Sequence, residues 1–267
     1  MKLNSKINRL REYIFSLKSV VVCLSGGIDS SVLLRFCVDV LGKSNVSAFV
    51  GVAPYMISSE IDFAKSLCQK FGIELIEYDV SVESIMKSNP QQRCYFCKEN
   101  IFSSACKIAT HRNIATVVDG TNFDDSNEHR LGELAKIKFG VKSPFADCNF
   151  TKTDIRNLAT CLNLPELNSK PSATCLMTRF QTGMNVTVDA LNIVASAEVF
   201  IKSLGFNVVR VRNYKGHYEI QVGIDELNKL KTSEILKQIE TYFYSQKIED
   251  FSIAENGYQF GCMQKGN

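Results

Sequence analysis

Ser25-Gly26-Gly27-Ile28-Asp29-Ser30-Ser31 packs two glycines, three hydroxyls and a carboxylate into seven positions. Before it runs Ser19-Val20-Val21-Val22-Cys23-Leu24, a short apolar, β-branched stretch that predicts a buried parallel strand. After it, Val32 to Leu41 carries apolar residues at helical spacing. A strand, a glycine pair and a helix start together form an anion cradle. The glycines let backbone N–H groups approach a ligand, and the helix dipole favours negative charge. Ser30 and Ser31 add donors, and Asp29 is placed to hold a divalent cation beside bound phosphates. The bland alternative is a glycine turn with Asp29 or Ser30 as a plain helix cap. The full hydroxyl-Gly-Gly-x-Asp-Ser-Ser run at a strand-to-helix junction favours phosphate. No Gly-x-x-x-x-Gly-Lys-Ser/Thr pattern occurs, so γ-phosphoryl transfer of the P-loop kind is not indicated.

The second chemical signal is Arg93-Cys94-Tyr95-Phe96-Cys97-Lys98, with two cysteines three apart near a helix start. A single Cys-x-x-Cys is compatible with a redox pair, half a zinc site, part of an iron–sulfur site, or chance. Arg93 and Lys98 flank the pair and would favour thiolates. The third is Ser169-Lys170-Pro171-Ser172-Ala173-Thr174-Cys175-Leu176-Met177-Thr178-Arg179-Phe180. Here Cys175 lies between two basic residues in an aperiodic segment, unlike a structural cysteine in an apolar pattern. Lys170 and Arg179 are suited to phosphate or carboxylate, with simple solvation as the competing view.

The elements between these stretches must position them. Residues 1–18 read as an amphipathic helix, followed by strands at 46–52 and 74–79 and a helix over 58–71 with Ser58 or Ser59 as cap. A helix from the cysteine pair to about Thr110 leads to a fourth strand, 115–118. That strand runs into Asp119-Gly120-Thr121-Asn122-Phe123-Asp124-Asp125. Alternating strands and helices predict a doubly wound parallel α/β sheet, whose ligands sit past the carboxyl ends of the strands. Asp119, Asn122 and Asp125 are therefore candidate adenosine or Mg²⁺ contacts, against the alternative of an ordinary Asp/Asn/Gly turn. Lys142 to Phe145 reads as a last short strand, and Thr151 or Thr153 caps a helix from Asp154 to Leu162.

Beyond Gly183 the pattern changes to a helix over 188–204, two strands around Lys215-Gly216, a long helix over 225–244 and a strand at 251–254. This predicts a small α+β second domain, with boundaries of 1–182 and 183–267. Arg210 and Arg212 share one strand face because side chains alternate. Paired arginines suit a carboxylate or phosphate, and solvated edge charges are the rival reading. The terminal run 257–263 carries no signal.

Hydrophobic residues make up 45% and charged residues 22%, ordinary values for a soluble globular chain. A net charge of +3 gives no argument for nucleic-acid binding. Neither a signal peptide nor an apolar run of about 18 residues is visible, which predicts a cytoplasmic protein without a membrane partner. The ten cysteines then belong to a reducing compartment, and Cys23, Cys37 and Cys68 read as small buried side chains.

The loop Ser25–Ser31 resembles the PP-loop of the ATP pyrophosphatase superfamily, whose members bind ATP and release pyrophosphate. Four stretches together resemble the LarE family of ATP-dependent sulfur transferases. They are that loop, Arg93–Lys98, Asp119-Gly120-Thr121-Asn122 with Asp125, and Lys170–Cys175. Leu204-Gly205-Phe206 and Val209-Arg210-Val211-Arg212 extend the likeness towards the C-terminus. The resemblance implies ATP and Mg²⁺ as cofactors and a small-molecule nucleotide substrate, pyridinium-3,5-biscarboxylic acid mononucleotide. Its carboxylates are adenylated and become thiocarboxylates on the way to the nickel-pincer nucleotide. Cys94, Cys97 and Cys175 match the three ligands of a [4Fe-4S] cluster that takes sulfide from a donor. The same residues also suit zinc, and in another branch a cysteine at the position of Cys175 gives up its own sulfur. Catalytic roles fall to Cys175, Arg210, Arg212 and Glu198, with Glu198 as a metal or acid–base group or an exposed helix glutamate. ATP and substrate contacts fall to Ser25, Gly26, Gly27, Asp29, Ser30, Ser31, Asp119, Asn122, Asp125, Lys170 and Arg179. The family implies a homo-oligomer, often a hexamer. The chain departs from it at Asn213-Tyr214, where a histidine is frequent. Competing functions are a tRNA thiolase, disfavoured by one Cys-x-x-Cys and the low charge, an ammonia-using ligase, and a non-catalytic ATP or metal sensor.

Overall fold

A computed structural model describes residues 3–81, 83–125, 130–168, 170 and 174–258. Ser169 and Pro171 to Ala173 of the Cys175 stretch, and the terminal residues from Gln259, lie outside the described residues. The chain forms two compact units: residues 1–81 with 92–173, and residues 82–91 with 174–267.

The first unit is built on four parallel strands, β1 (Val20–Cys23), β2 (Val46–Val52), β3 (Leu75–Asp79) and β4 (Thr116–Asp119), in the order β3-β2-β1-β4. Val22 pairs with Ala48 on one side and Val118 on the other, so β1 is central. Because side chains alternate across a strand, β1 feeds two cores. Val20 and Val22 pack with residues of α1 (Leu3–Ser16), α2 (Ile28–Leu41) and α3 (Ser58–Phe71), while Val21 packs on the opposite face. There it meets Phe102 and Ala105 of a helix spanning Arg93–His111. Burial on both faces explains why β1 reads as an unbroken apolar run, and the arrangement is the expected doubly wound α/β sheet.

Two local expectations change. The predicted strand at 142–145 is a single bridge, Lys142 with Val118, after which Pro144 opens a short helix, Pro144–Asp147. Pro144 lacks an N–H to donate to a ladder but suits the first turn of a helix. The helix 58–71 begins at Ser58 after Ile57, and no side chain caps it. In contrast, Thr151 caps the helix Lys152–Cys161 in a full capping box with Asp154.

In the second unit a short helix, α4 (Glu83–Ser88), joins a three-stranded sheet of order β5-β6-β7. Strands β5 (Val209–Tyr214) and β6 (His217–Val222) form an antiparallel hairpin, and β7 (Phe251–Ile253) pairs parallel to β6. Lys215 and Gly216 turn the hairpin with positive φ, as its two-residue loop requires. A helix over Val188–Ser203, capped by Thr187, packs on β5. The single long helix predicted for 225–244 is interrupted. Thr232 is extended, and it separates Leu227–Leu230 from Ser233–Ser245.

Candidate active site

The glycine loop leaves β1 and enters α2 through Gly27, which caps that helix with no side-chain hydrogen bond. Helix starts carry N–H groups without intrahelical partners, so donors are available there. Gly26 has φ +80°, and a Cβ on it would lie 2.2 Å from the Glu60 carbonyl oxygen. Only glycine fits that turn against the first turn of α3. Ser25 and Ser30 cross-brace the loop: their hydroxyl oxygens are 3.1 Å apart, and the Ser25 N–H donates to Ser30 Oγ at 3.1 Å. Ser31 is fully buried, and its hydroxyl has no hydrogen-bond partner among the described residues.

A cavity of about 240 Å³ opens beside the loop, lined by Ser25, Asp29, Ser30, Lys98, Asp119 and Asp125 among others. Lys152 Nζ donates to Asp29 Oδ2 at 2.6 Å, Asn122 lies within hydrogen-bonding reach of the same carboxyl, and Asp29 Oδ1 is buried with no close hydrogen-bond donor among the described residues. Burial raises the Asp29 carboxyl above the ordinary aspartate range. Lys152 opposes that shift, and the neighbouring Asp125 adds to it. A buried carboxylate beside a second carboxylate fits a hard cation such as Mg²⁺. Asp119 builds its turn, while Asn122 both builds the turn and bonds the Asp29 carboxyl through its side chain. Asp119 accepts from Ser143 at 2.6 Å and Thr121 at 2.7 Å, and Asn122 Oδ1 accepts from the Asp124 N–H at 2.8 Å. Lys170 Nζ donates to the Gly26 carbonyl at 2.6 Å and pairs with Glu60 at 3.0 Å.

In the same unit Cys94 is exposed and Cys97 half-buried on the first turn of α5 (Arg93–His111). The expected thiolate character is not met at Cys97. Burial raises its thiol, and the hydrogen bond from the Tyr55 hydroxyl at 3.5 Å offsets this only in part. Of the two flanking cations expected to favour thiolates, Lys98 does lower the Cys97 thiol, while Arg93 is itself buried. Among the described residues, no three His, Cys, Asp or Glu side chains gather closely enough to hold a metal ion.

The second unit collects arginines. Arg179 is only 1% exposed and forks onto Glu198, Nε to Oε1 at 2.7 Å and Nη2 to Oε2 at 3.0 Å. Its third nitrogen donates to Thr174 and Thr178 hydroxyls at 2.7 Å each. Glu198, 4% exposed, also accepts the Val211 N–H at 3.1 Å. It is thus a buried counter-ion, and the alternative of an exposed helix glutamate is overturned. Arg212 donates to Gln221 Oε1 at 2.8 Å and to the Thr178 carbonyl at 2.9 Å. Arg210 donates to the Val209 carbonyl at 2.7 Å and lies over the Tyr258 ring. Burial and the nearby Arg179 lower its proton affinity. Buried, preoriented guanidiniums are a recognition device for carboxylate or phosphate. Cys175, half-buried, sits beside Thr174 at the start of this cluster.

Lys152 and Gln221 carry no local signal, since their roles arise only from the residues they face. Lys98, legible only as a flank of the cysteine pair, lines the loop cavity.

A parallel doubly wound unit with a glycine-hydroxyl loop after its central strand, and an acidic group on the first turn of the next helix, defines a PP-loop ATP-binding enzyme. A family model described as NAD synthase matches residues 3–191. The pyridinium-3,5-bisthiocarboxylic acid mononucleotide synthase of Lactiplantibacillus plantarum is 35% identical over 198 residues, 73% of this chain and 71% of that protein. A protein of Synechocystis sp. is 30% identical over 98% of both chains. The NH(3)-dependent NAD(+) synthetase of Pelodictyon phaeoclathratiforme is 31% identical over 60% of this chain. The chain belongs to the LarE family of PP-loop ATP-dependent enzymes. No helix among the described residues is long and apolar enough to cross a membrane.

Proposed function

We propose that the chain is an ATP-dependent sulfur transferase that converts carboxylates of pyridinium-3,5-biscarboxylic acid mononucleotide to thiocarboxylates, for the nickel-pincer nucleotide cofactor. The observation that carries this reading is the buried cluster of Arg179, Arg210 and Arg212, in the same unit as Cys175. Guanidiniums offer forked, permanently charged donors to a substrate rich in carboxylate and phosphate.

In this reading the Ser25–Ser31 loop holds the ATP phosphates on backbone N–H groups. Asp29 and Asp125 would hold Mg²⁺, which would neutralise phosphate charge there. A substrate carboxylate oxygen bonds to the α-phosphorus, and the bond to the bridging oxygen breaks, releasing pyrophosphate. Arg210 and Arg212 orient the substrate, and Glu198 holds the Arg179 guanidinium in place. Sulfide sulfur then bonds to the acyl carbon, the carbon–oxygen bond to AMP breaks, and the thiocarboxylate forms. Cys94, Cys97 and Cys175 are three soft thiol donors of the type that hold an iron–sulfur cluster. If such a cluster were bound, Cys94, Cys97 and Cys175 would hold it, and it would supply an iron able to take up sulfide.

The test is anaerobic purification of wild type and Cys94→Ser with iron, sulfide and zinc analysis. About four irons with matching sulfide, lost in the variant, support the cluster. Zinc alone or no metal overturns it and moves sulfur delivery to Cys175, visible as loss of H₂S mass after turnover. Unchanged activity in Cys→Ser variants overturns sulfur transfer itself.

A further inference from the structure

Lys170 is suited by charge to a phosphate, yet its ammonium is turned elsewhere. It donates to the Gly26 carbonyl at 2.6 Å, pairs with Glu60 Oε2 at 3.0 Å, and stands 3.7 Å from the centroid of the Phe63 ring. Both charged side chains are largely buried, at 17% and 16% exposure. Partly buried ion pairs are screened far less than surface pairs. Glu60 also meets the loop through its backbone, since its carbonyl is the atom a Cβ on Gly26 would strike.

The consequence follows from peptide geometry. A trans peptide is planar, with its C=O and N–H pointing in opposite directions. Holding the Gly26 carbonyl on Lys170 therefore aims the Gly27 N–H away from Lys170. Among the described residues that N–H makes a long 3.4 Å contact with Ser25 Oγ. Were this peptide to flip, a carbonyl oxygen would take the place of the N–H and repel a phosphate. Glycines at both positions make such a flip sterically easy. We propose that Glu60 is a positioning residue for nucleotide binding: through Lys170 it locks the Gly26–Gly27 peptide with its N–H facing the phosphates. Lys170 then acts on the loop and not on the nucleotide. The inference rests on ATP binding by the loop and is independent of which acceptor is adenylated.

The test is calorimetric titration of the full chain with Mg-ATP, comparing Glu60→Ala, Lys170→Met and the double variant, with thermal melts of each without nucleotide. A milder Glu60→Gln variant keeps the test available if the alanine variant folds poorly. Each single variant is expected to raise the Mg-ATP Kd by about tenfold or more, the scale of a charged hydrogen bond. The double variant is expected to be no worse than Lys170→Met, because residues acting through one contact are not additive. If Lys170 binds phosphate directly, Glu60→Ala leaves affinity equal or improved while Lys170→Met loses it, and the proposal fails. It fails equally if the Glu60 variants lower the melting temperature and leave the Kd unchanged, which is a purely structural role.

Discussion

Lys152 Nζ lies 2.6 Å from Asp29 Oδ2 and pairs the first residue of the helix Lys152–Cys161 with the carboxylate of the glycine loop. A cation thus already occupies one side of Asp29, while the other oxygen waits buried.

The shifted Asp29 carboxyl makes Mg-ATP binding pH-dependent. Burial raises its pKa and Lys152 lowers it. Metal binding needs the ionised form, so affinity should fall with pH at a higher value than an ordinary aspartate gives. Lys152→Met removes the opposing cation and should move that midpoint further up, as titration calorimetry across pH would record. A midpoint moving down would refute the assignment. In the apo protein the raised pKa contributes stability at low pH that is lost as pH rises. Asp29→Asn should therefore melt no lower than wild type at neutral pH, while losing metal–nucleotide binding.

Gly26→Ala should abolish Mg-ATP binding. Its Cβ would meet the Glu60 carbonyl at 2.2 Å, and φ of +80° strains any L side chain. The strained backbone alone costs about 1–3 kcal/mol and the overlap with the Glu60 carbonyl adds to it, so the variant should lose stability as well as binding. Circular dichroism together with nucleotide titration separates the two effects.

Much of this was readable beforehand because local rules agreed with the fold. The run Val20–Cys23, the glycine loop and the Lys215-Gly216 turn each carry a backbone reason that needs no partner. Arg210 and Arg212 were legible as a pair because strand alternation alone places them together. What stayed hidden depends on long-range partners. Glu198 looks like any helix glutamate until Arg179 is seen forked onto it. Asn89 is another case: a short polar residue after α4, it donates to the carbonyls of Phe180 and Gln181 at 3.0 and 2.9 Å, and so ties residues 82–91 to the second unit. The Lys142–Phe145 strand failed because Pro144 redirected the chain.

Asp154 should give an acid-labile share of stability. Burial alone would raise its carboxyl, but Lys6 and the Thr151 capping box together pull it below the usual range. A lowered pKa contributes stability above the unfolded value and loses it as pH falls through the folded one. Asp154→Asn should cost stability at neutral pH, through the lost ion pair with Lys6 and the charged half of the capping box, and nearly nothing in strong acid. Urea melts at the two pH values check this, and an equal cost at both would count against it.

The Arg179–Glu198 pair allows stability and function to be separated. Glu198→Ala leaves a guanidinium that is 1% exposed without its carboxylate and frees the Val211 N–H. Breaking a buried pair from one side costs about 3–5 kcal/mol, so a large drop in denaturation midpoint is expected. Replacing both partners with apolar residues of similar size, Arg179→Met with Glu198→Leu, should recover much of that loss, because no uncompensated charge remains. If the pair serves only the fold, the double variant should also keep substrate turnover. If the arginine cluster holds the substrate anion, the double variant should be stable and inactive, with KM raised as well as kcat reduced. The second result is expected. Arg179 stands against Arg210 closely enough to lower its proton affinity, so deleting one cation changes the field that orients the other.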